Sequence, residues 1–327
     1  MSEPLLSIRN LAVGFQTRHG HSPAVAGVSY DVMPGEIVGI AGESGSGKSV
    51  TNLSILRLLP SPPCEITAGE ILFEGRDLLK ASESELRNVR GGGIAVIFQD
   101  PMNSLHPLLR IVTQMTESTQ LHLGLGCGDA RKHALAALAT VGIPDVERVA
   151  GGYPHQLSGG MRQRVMIAMA LSTGPKLLIA DEPTTALDVT IQALILDLIR
   201  KRRDETGTSV ILTTHDLGVL AGIADRVIVM YAGRVFETAP ASELFKAPAN
   251  PYTRALVRSI PQEESNGDGA RQKLFQIPGL PPVLAELPPS HCPFAERCSE
   301  VTSQCREGFP PFQEVAPGHF SLCWRTA

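Results

Sequence analysis

The stretch on which the fold depends is Gly42-Glu43-Ser44-Gly45-Ser46-Gly47-Lys48-Ser49. Its spacing, G-x-x-x-x-G-K-S, is a complete P-loop, placed between the apolar run 36–41 and the apolar-periodic stretch 50–59. A strand before this motif and a helix after it are the context that it requires. The glycines let successive backbone N–H groups point at phosphate oxygens, and the helix start adds the positive end of its dipole. We therefore predict a nucleotide site, with Lys48 on the β and γ phosphates and the Ser49 hydroxyl on Mg²⁺. The alternative is a flexible Gly/Ser-rich turn. It is disfavoured by the flanking strand and helix patterns and by the presence of Lys48 and Ser49.

The composition predicts a protein with a sizeable core and no strong charge bias. The chain has 327 residues, of which 43% are apolar, enough for one large domain and a smaller appendage. A net charge of −4 gives no electrostatic case for nucleic-acid binding. The N-terminus does not resemble a signal peptide, and the best membrane-span candidate, 165–180, is interrupted by polar residues and a proline. We therefore expect any work at a membrane to require a partner.

Apolar patterning predicts strands that alternate with helices. Strands are predicted at 5–15, 24–32, 36–41, 69–75, 94–98, 176–180 and 209–213, with a hairpin formed by 226–231 and 235–238. Helices are predicted at 50–59, 158–172 and 189–203, and the stretch 104–152 is predicted to be largely helical. This pattern indicates an α/β fold with a mostly parallel sheet, helices on both faces and N-terminal antiparallel strands.

The sequence changes character after about residue 247, where prolines and glycines become dense. We predict a large domain over 1–246, with a helical subdomain inserted at about 104–172, and a small C-terminal region over 247–327. A disordered tail is the alternative, but the aromatic residues of this region are too many for a purely solvated segment. Four of the six cysteines also lie here, at Cys292, Cys298, Cys305 and Cys323.

Polar residues at the ends of predicted strands suggest a second half of the nucleotide site. Asp181 follows an apolar run and can hold Mg²⁺, and Glu182 can act as general base on an attacking water. Gln99 ends another strand and can reach the metal or that water, and His215 can donate to a γ-phosphate. A predicted helix begins at Ser158-Gly159-Gly160, and the bare N–H groups at its start can bind phosphate.

In this order, over residues 5 to about 240, the motifs resemble the ATP-binding subunit of ABC transporters. Walker A is 42–49, the Q-loop glutamine is Gln99, the signature is 157–161 and Walker B is 177–181, followed by Glu182. The D-loop is Ala186-Leu187-Asp188, the switch histidine is His215 and the A-loop aromatic is Phe15. Met161 departs from the glutamine of the commonest signature, but the Ser-Gly-Gly core is intact.

The resemblance narrows to the dipeptide/oligopeptide importer branch, which includes nickel importers, and within it to the "D" ATPase. It is carried by residues 181–190, by Asn250-Pro251-Tyr252-Thr253 and by Cys292-Pro293-Phe294-x-x-Arg297-Cys298. It implies a transport-coupled ATPase at the cytoplasmic face of the bacterial inner membrane. Its implied partners are a second ATPase subunit, two membrane permeases and a periplasmic or lipid-anchored substrate-binding protein.

The family mechanism places ATP between two ATPase subunits, Walker A of one facing the signature of the other. It implies catalytic roles for Glu182, His215 and Gln99, Mg²⁺ ligation by Ser49, Gln99 and Asp181, and nucleotide contacts that extend to Phe15 and Asp188. Import of nickel or another small solute is the first alternative. A soluble ABC ATPase is disfavoured by the lack of a coiled-coil insertion or a fused second half. A small-molecule P-loop kinase leaves Ser158–Gly160 and His215 unexplained.

The four C-terminal cysteines have the spacing C-x5-C-x6-C-x17-C. Structural zinc sites usually pair their ligands two to four residues apart, whereas four thiolates are the ligand set of an iron–sulfur cluster. The resemblance favours a [4Fe–4S] cluster over zinc as the group bound by these cysteines, because related importer ATPases carry such a cluster in this region. Its role would be to staple a proline-rich segment that has little core of its own. Four free thiols remain the third alternative.

Overall fold

A computed structural model describes residues 3–18, 20–100, 104–184, 187–260, 275–288 and 290–326. The strands of this part of the chain are β1 (Leu6–Thr17), β2 (Gly20–Val32), β3 (Ile37–Ala41), β4 (Cys64–Phe73), β5 (Arg76–Asp77), β6 (Ile94–Ile97), β7 (Leu177–Asp181), β8 (Ser209–Thr213), β9 (Arg226–Tyr231), β10 (Arg234–Pro240), β11 (Phe312–Ala316) and β12 (His319–Leu322). The helices are α1 (Lys48–Ile55), α2 (Glu83–Val89), α3 (Ile111–Leu123), α4 (Cys127–Thr140), α5 (Val146–Gly151), α6 (Gly159–Ser172), α7 (Val189–Thr206), α8 (Leu217–Ile223), α9 (Ala241–Lys246), α10 (Pro251–Arg258) and α11 (Gln304–Glu307).

The chain divides into two compact units. The first contains Phe73–Thr213 with the short segments Met1–Leu6 and Val32–Ile37. The second contains Ser7–Asp31, Val38–Leu72 and Thr214–Ala327. The P-loop therefore lies in the second unit, together with the C-terminal region.

The first unit is built on three parallel strands, with β7 between β6 and β8. Every residue of β7 and β8 is buried, which is expected of parallel strands covered on both faces. The register places Ile97 beside Ala180 and Asp181 beside Thr213. Because the strands run in the same direction, the chain segments that leave them emerge at one edge of the sheet.

Helices α3 to α6 belong to this first unit, and α4 packs against both α3 and α6. Met115, Ala134, Leu138 and Val165 are fully buried on the faces of these helices. The predicted helical stretch is thus present as three helices over 111–151. The helix predicted to start at Ser158 is also confirmed, because the Ser158 hydroxyl caps α6.

The second unit contains two sheets. Strands β2, β1 and β4 lie side by side in one of them. The other has the order β11-β12-β10-β9-β3, in which β3 and β9 are parallel and the remaining pairs are antiparallel. The P-loop follows β3 and leads into α1, so the predicted strand–loop–helix arrangement is confirmed.

The C-terminal region contains two strands, β11 and β12, in a stretch for which the sequence analysis predicted no secondary structure. Strand β12 pairs with β10, opposing Glu237 to Ser321, and β11 extends the same sheet. Helix α10 begins with Pro251 and is capped by the Asn250 side chain, which accepts from the Tyr252 N–H at 3.0 Å. Smaller differences occur near the N-terminus, where β1 extends to Thr17 and β2 begins at Gly20, so that both enter the stretch between the strands predicted at 5–15 and 24–32.

Candidate nucleotide-binding site

The P-loop backbone requires glycine at two positions for steric reasons. Gly42 has φ 148°, and a Cβ added there would lie 2.2 Å from the Met230 carbonyl oxygen. Gly47 has φ 97°, and its added Cβ would lie 3.0 Å from the Ala24 carbonyl oxygen. Both conformations are strained for residues with a side chain. The loop is therefore closed tightly against neighbouring backbone.

Lys48 lies across this loop and is only 6% exposed. Its Nζ donates to the Gly42 carbonyl oxygen at 2.7 Å, to the Glu43 carbonyl oxygen at 2.9 Å and to the Ser46 Oγ at 3.3 Å. Helix α1 begins at Lys48 with a glycine as its N-cap, so its first N–H groups receive no side-chain cap. A buried ammonium beside a helix N-terminus suits an anion such as a phosphate chain. Ser49 lies in the first turn of the helix and is partly exposed.

The first unit contains the two predicted carboxylates, Asp181 and Glu182. Asp181 ends β7 and is 4% exposed. The next residue, Glu182, has φ 49°, and its backbone N–H donates to the Thr213 carbonyl oxygen at 2.9 Å. Gln99, which follows β6, donates from Nε2 to the Glu182 Oε2 at 3.1 Å. The structure thus brings together two of the residues that sequence reasoning assigned to the attacking water.

The signature segment also belongs to the first unit. The Ser158 hydroxyl accepts from the Met161 N–H at 3.3 Å, which orients the start of α6. An added Cβ at Gly159 would meet no atom within 4 Å, so the N-terminus of α6 is open on this side. Gln163 is fully buried and donates to the Pro183 carbonyl oxygen at 2.7 Å, joining α6 to the segment after Glu182. Sequence reasoning missed Gln163, although it lies two residues after the signature.

Three further predicted residues occupy exposed or partly exposed positions. Asp188 caps α7 by accepting from the Ile191 N–H at 3.0 Å. His215 follows β8 and is exposed, and Phe15 in β1 is partly exposed. Of the predicted D-loop, Ala186 lies outside the described residues. The contributions of Asp188, His215 and Phe15 to nucleotide binding stay predictions.

A second group that sequence reasoning missed surrounds Glu43 in the P-loop. The Glu43 carboxylate accepts two hydrogen bonds from Arg297, and its backbone N–H donates to the Tyr252 hydroxyl at 3.0 Å. The sequence offered one signal for this group: Tyr252 and Arg297 both lie in C-terminal motifs, Asn250–Thr253 and Cys292–Cys298, to which the sequence analysis had assigned no contact. Nothing in the spacing connected either motif to the P-loop.

The four C-terminal cysteines line one small cavity, together with Phe294 and Trp324. Within the described ranges, no three His, Cys, Asp or Glu side chains lie close enough together to hold a metal ion as they stand. Burial raises the pKa of the Cys292 thiol to about 12 and also raises the pKa of Cys298 and Cys323. The donor set suits a thiolate-ligated group, but its geometry is not that of a formed metal site. These thiols would have to lose their protons to bind one.

No helix in the part of the chain that the structure describes is long and apolar enough to cross a membrane.

Comparisons with known proteins give consistent matches. The family model described as "ABC transporter" matches residues 25–185, and that described as "Oligopeptide/dipeptide transporter, C-terminal region" matches residues 236–305. A model described as "AAA domain, putative AbiEii toxin, Type IV TA system" matches residues 151–221.

Two curated relatives cover nearly the whole chain. A probable peptide ABC transporter ATP-binding protein (y4tR) of Sinorhizobium fredii is 51% identical over 98% of this chain and 95% of its own length. The oligopeptide transport ATP-binding protein OppD of Bacillus subtilis is 49% identical over 98% of this chain and 88% of its own length. Among solved structures, the dimeric post-hydrolysis state of the ATP-binding cassette MJ0796 with ADP and Pi matches with TM-score 0.66 and 30% identity. That match covers 72% of this chain and 98% of the other.

Proposed function

The chain belongs to the family of ABC transporter ATP-binding proteins, and we propose that it powers the import of di- or oligopeptides through a pair of membrane permeases. ATP hydrolysis coupled to transport is the activity of this family. The observation that carries the peptide assignment is the C-terminal match over residues 236–305, which describes oligopeptide and dipeptide transporters. Its motif residues Tyr252 and Arg297 contact the P-loop of the same chain. Import of nickel or another small solute is not favoured by this match.

In the proposed reaction, Glu182 is the general base that takes a proton from the water attacking the γ-phosphate. Its hydrogen bond with Gln99 supports this role, because the amide orients the carboxylate at the edge of the sheet. Ser49, Gln99 and Asp181 would hold Mg²⁺, which neutralises phosphate charge, and His215 would donate to the γ-phosphate. Lys48 and the N–H groups of residues 42–49 would bind the phosphate chain, Phe15 would stack on the base, and Asp188 would line the nucleotide.

We further propose that the chain works with a second ATPase subunit. The open start of α6, at Ser158, Gly159 and Gly160, supports this, because its bare N–H groups form a second phosphate-binding element. The solved cassette that matches this chain is dimeric, which is consistent with a partner that supplies the facing signature. Two permeases and a periplasmic or lipid-anchored substrate-binding protein complete the proposed assembly, at the cytoplasmic face of the inner membrane.

We also propose that the chain consists of an ATPase domain over 1–246, with a helical subdomain at about 104–172, and a C-terminal region over 247–327. The helices α3 to α6 support the inserted subdomain. The separate family match that begins at residue 236 supports the C-terminal region.

Membrane association tests the transporter assignment against a soluble ATPase or kinase. The full chain is expressed alone or together with its cognate permease pair, and the cell membranes are sedimented. We expect the chain to sediment with membranes only when the permeases are present, because no described helix provides a span of its own. Equal distribution with and without permeases would favour a soluble ATPase.

For the C-terminal cysteines, we propose a [4Fe–4S] cluster held by Cys292, Cys298, Cys305 and Cys323, with zinc as the alternative. The support is chemical: four thiols around one cavity are the donor set of such a cluster. Its role would be structural, joining the loops that carry the four residues. No redox step is assigned to it.

Elemental analysis of protein purified without oxygen tests this proposal. We expect about four iron and four sulfide per chain. The Cys298→Ser variant should lose most of the iron, whereas Cys127→Ser, which changes an exposed cysteine outside the group, should retain it. Stoichiometric zinc without iron would reject the cluster, and the absence of any metal would reject the site.

A further inference from the structure

The second residue of the P-loop is held by an arginine from the C-terminal region. Arg297 Nη1 donates to the Glu43 Oε2 at 2.6 Å, and Arg297 Nη2 donates to the Glu43 Oε1 at 2.8 Å. The Arg297 side chain is 6% exposed and that of Glu43 is 23% exposed. A two-pronged, largely buried arginine–carboxylate contact is strong and directional, unlike an exposed ion pair.

Arg297 is itself fixed from several sides. Its Nε donates to the Pro278 carbonyl oxygen at 2.8 Å, and its Nη1 donates to the Tyr231 hydroxyl at 3.2 Å. The guanidinium carbon lies 5.7 Å from the centre of the Tyr231 ring and 5.9 Å from that of Phe294. The position of the guanidinium is therefore fixed by contacts that do not involve Glu43.

The Glu43 backbone is held from the same direction. Its N–H donates to the hydroxyl of Tyr252, a fully buried residue in α10. The Tyr252 ring lies 4.6 Å from the Tyr231 ring and 5.2 Å from the Phe294 ring, between centres. Backbone and side chain of Glu43 are thus both anchored to one aromatic cluster, defined by Tyr231, Phe236, Tyr252 and Phe294.

This anchoring bears on phosphate binding for two reasons. First, the Glu43 carbonyl oxygen accepts from the Lys48 Nζ at 2.9 Å and from the Ser46 N–H at 3.2 Å, so the position of Glu43 sets the shape of the loop. Second, Glu43 places a carboxylate in a loop that has to receive a polyanion. An unpaired carboxylate there would repel the phosphates, and Arg297 compensates its charge.

We propose that Arg297 is a positioning residue for ATP, which acts through Glu43 chiefly by cancelling the negative charge that Glu43 brings into the P-loop. Tyr252 assists by holding the Glu43 N–H. The C-terminal region would thereby contribute to nucleotide affinity, in addition to any role that its cysteines have. The inference rests on ATP binding by the P-loop and not on the identity of the transported solute.

Steady-state kinetics and direct nucleotide binding test this proposal in the full chain assembled with its partner subunits. In Arg297→Met we expect KM and the Kd for ATP to rise about tenfold or more, with kcat at saturating ATP within about twofold of the wild type. The chemical groups at Gln99 and Glu182 are untouched, so the chemical step should persist. Arg297→Lys keeps the charge but not the two-pronged contact, and should raise KM by about threefold.

The decisive variant is the double substitution Arg297→Met with Glu43→Gln. If the unpaired carboxylate repels the phosphates, its removal should restore most of the lost affinity, to within about threefold of the wild type. A purely structural pair would show no such recovery, because the anchor of the loop would still be missing. Melting of the nucleotide-free protein, followed in parallel, reports the structural contribution separately.

Arg254→Met is the matched control. Arg254 also lies in the C-terminal region and forms an ion pair with Glu300 at 2.6 Å, but within the described part of the chain its hydrogen bonds do not reach the P-loop. It should leave KM unchanged. An unchanged KM in Arg297→Met, a tenfold rise shared by Arg254→Met, or a double variant as weak as Arg297→Met would each overturn the proposal.

Discussion

The Glu182→Gln variant is expected to bind ATP normally and to hydrolyse it about 10²–10⁴-fold more slowly than the wild type, the usual cost of a lost general base. The substitution keeps the size of the side chain and an oxygen that can accept from the Gln99 Nε2, now 3.1 Å from Glu182 Oε2. What it removes is the basicity needed to take a proton from water. ATP should therefore accumulate unhydrolysed between the two ATPase subunits and hold them together.

Single-turnover hydrolysis by the purified complex, combined with sizing in the presence of ATP, measures both effects. Glu74→Gln serves as the matched control, because it changes a carboxylate that pairs with Lys176 on the surface of the same unit. The control should hydrolyse ATP at the wild-type rate. Turnover by Glu182→Gln within a few-fold of the wild type would show that another group accepts the proton.

The Lys48→Ala variant should fail at an earlier step, with ATP affinity reduced by at least about 10²-fold. Lys48 is the buried cation of the P-loop, and its Nζ also holds the Gly42 and Glu43 carbonyl oxygens. Its removal takes away a charge-assisted contact to phosphate and loosens the loop that presents the N–H groups.

Equilibrium binding of a fluorescent ATP analogue measures this loss. Lys176→Ala removes a surface lysine that pairs with Glu74 and should bind nucleotide as the wild type does. Melting of the nucleotide-free variants separates a local effect from unfolding. If Lys48→Ala keeps wild-type affinity, the phosphates do not bind at residues 42–49.

Local sequence signals were sufficient for most of the ATPase fold. The P-loop motif predicted the β3–loop–α1 arrangement. Ser158 predicted the start of α6, because a capping hydroxyl acts within three residues of its own position. The buried strands β7 and β8 were visible as uninterrupted apolar runs.

Strands β11 and β12 were not predictable in the same way. They are five and four residues long, and β11 alternates only between exposed and partly exposed positions. Strand β12 is held by pairing with β10, about 80 residues earlier in the chain, as between Glu237 and Ser321, and β11 pairs in turn with β12. A short strand that is stabilised by a distant partner carries little signal of its own.

For the candidate site too, local motifs could be predicted from the sequence, whereas contacts between distant residues could not. Motif spacing predicted Lys48, Asp181 and Glu182 as site residues, because each motif is contiguous in sequence. The contacts of Glu43 with Arg297 and Tyr252 were not foreseen, since they join residues 254 and 209 positions apart. The cysteines were identified as a group by composition, but their spacing could not say whether the fold arranges them as ligands.

ATP hydrolysis by this chain is expected to drive peptide import, and peptide transport out of inside-out proteoliposomes tests this most directly. The complete complex is reconstituted with the chain facing outward and with the proposed binding protein, loaded with peptide, enclosed. The wild-type complex should export labelled peptide from the lumen to the ATPase side only when MgATP is added outside, and complexes that carry Glu182→Gln or Lys48→Ala should move none above background. Peptide movement that is independent of ATP, or unaffected by both substitutions, would contradict ATP-driven import by this chain.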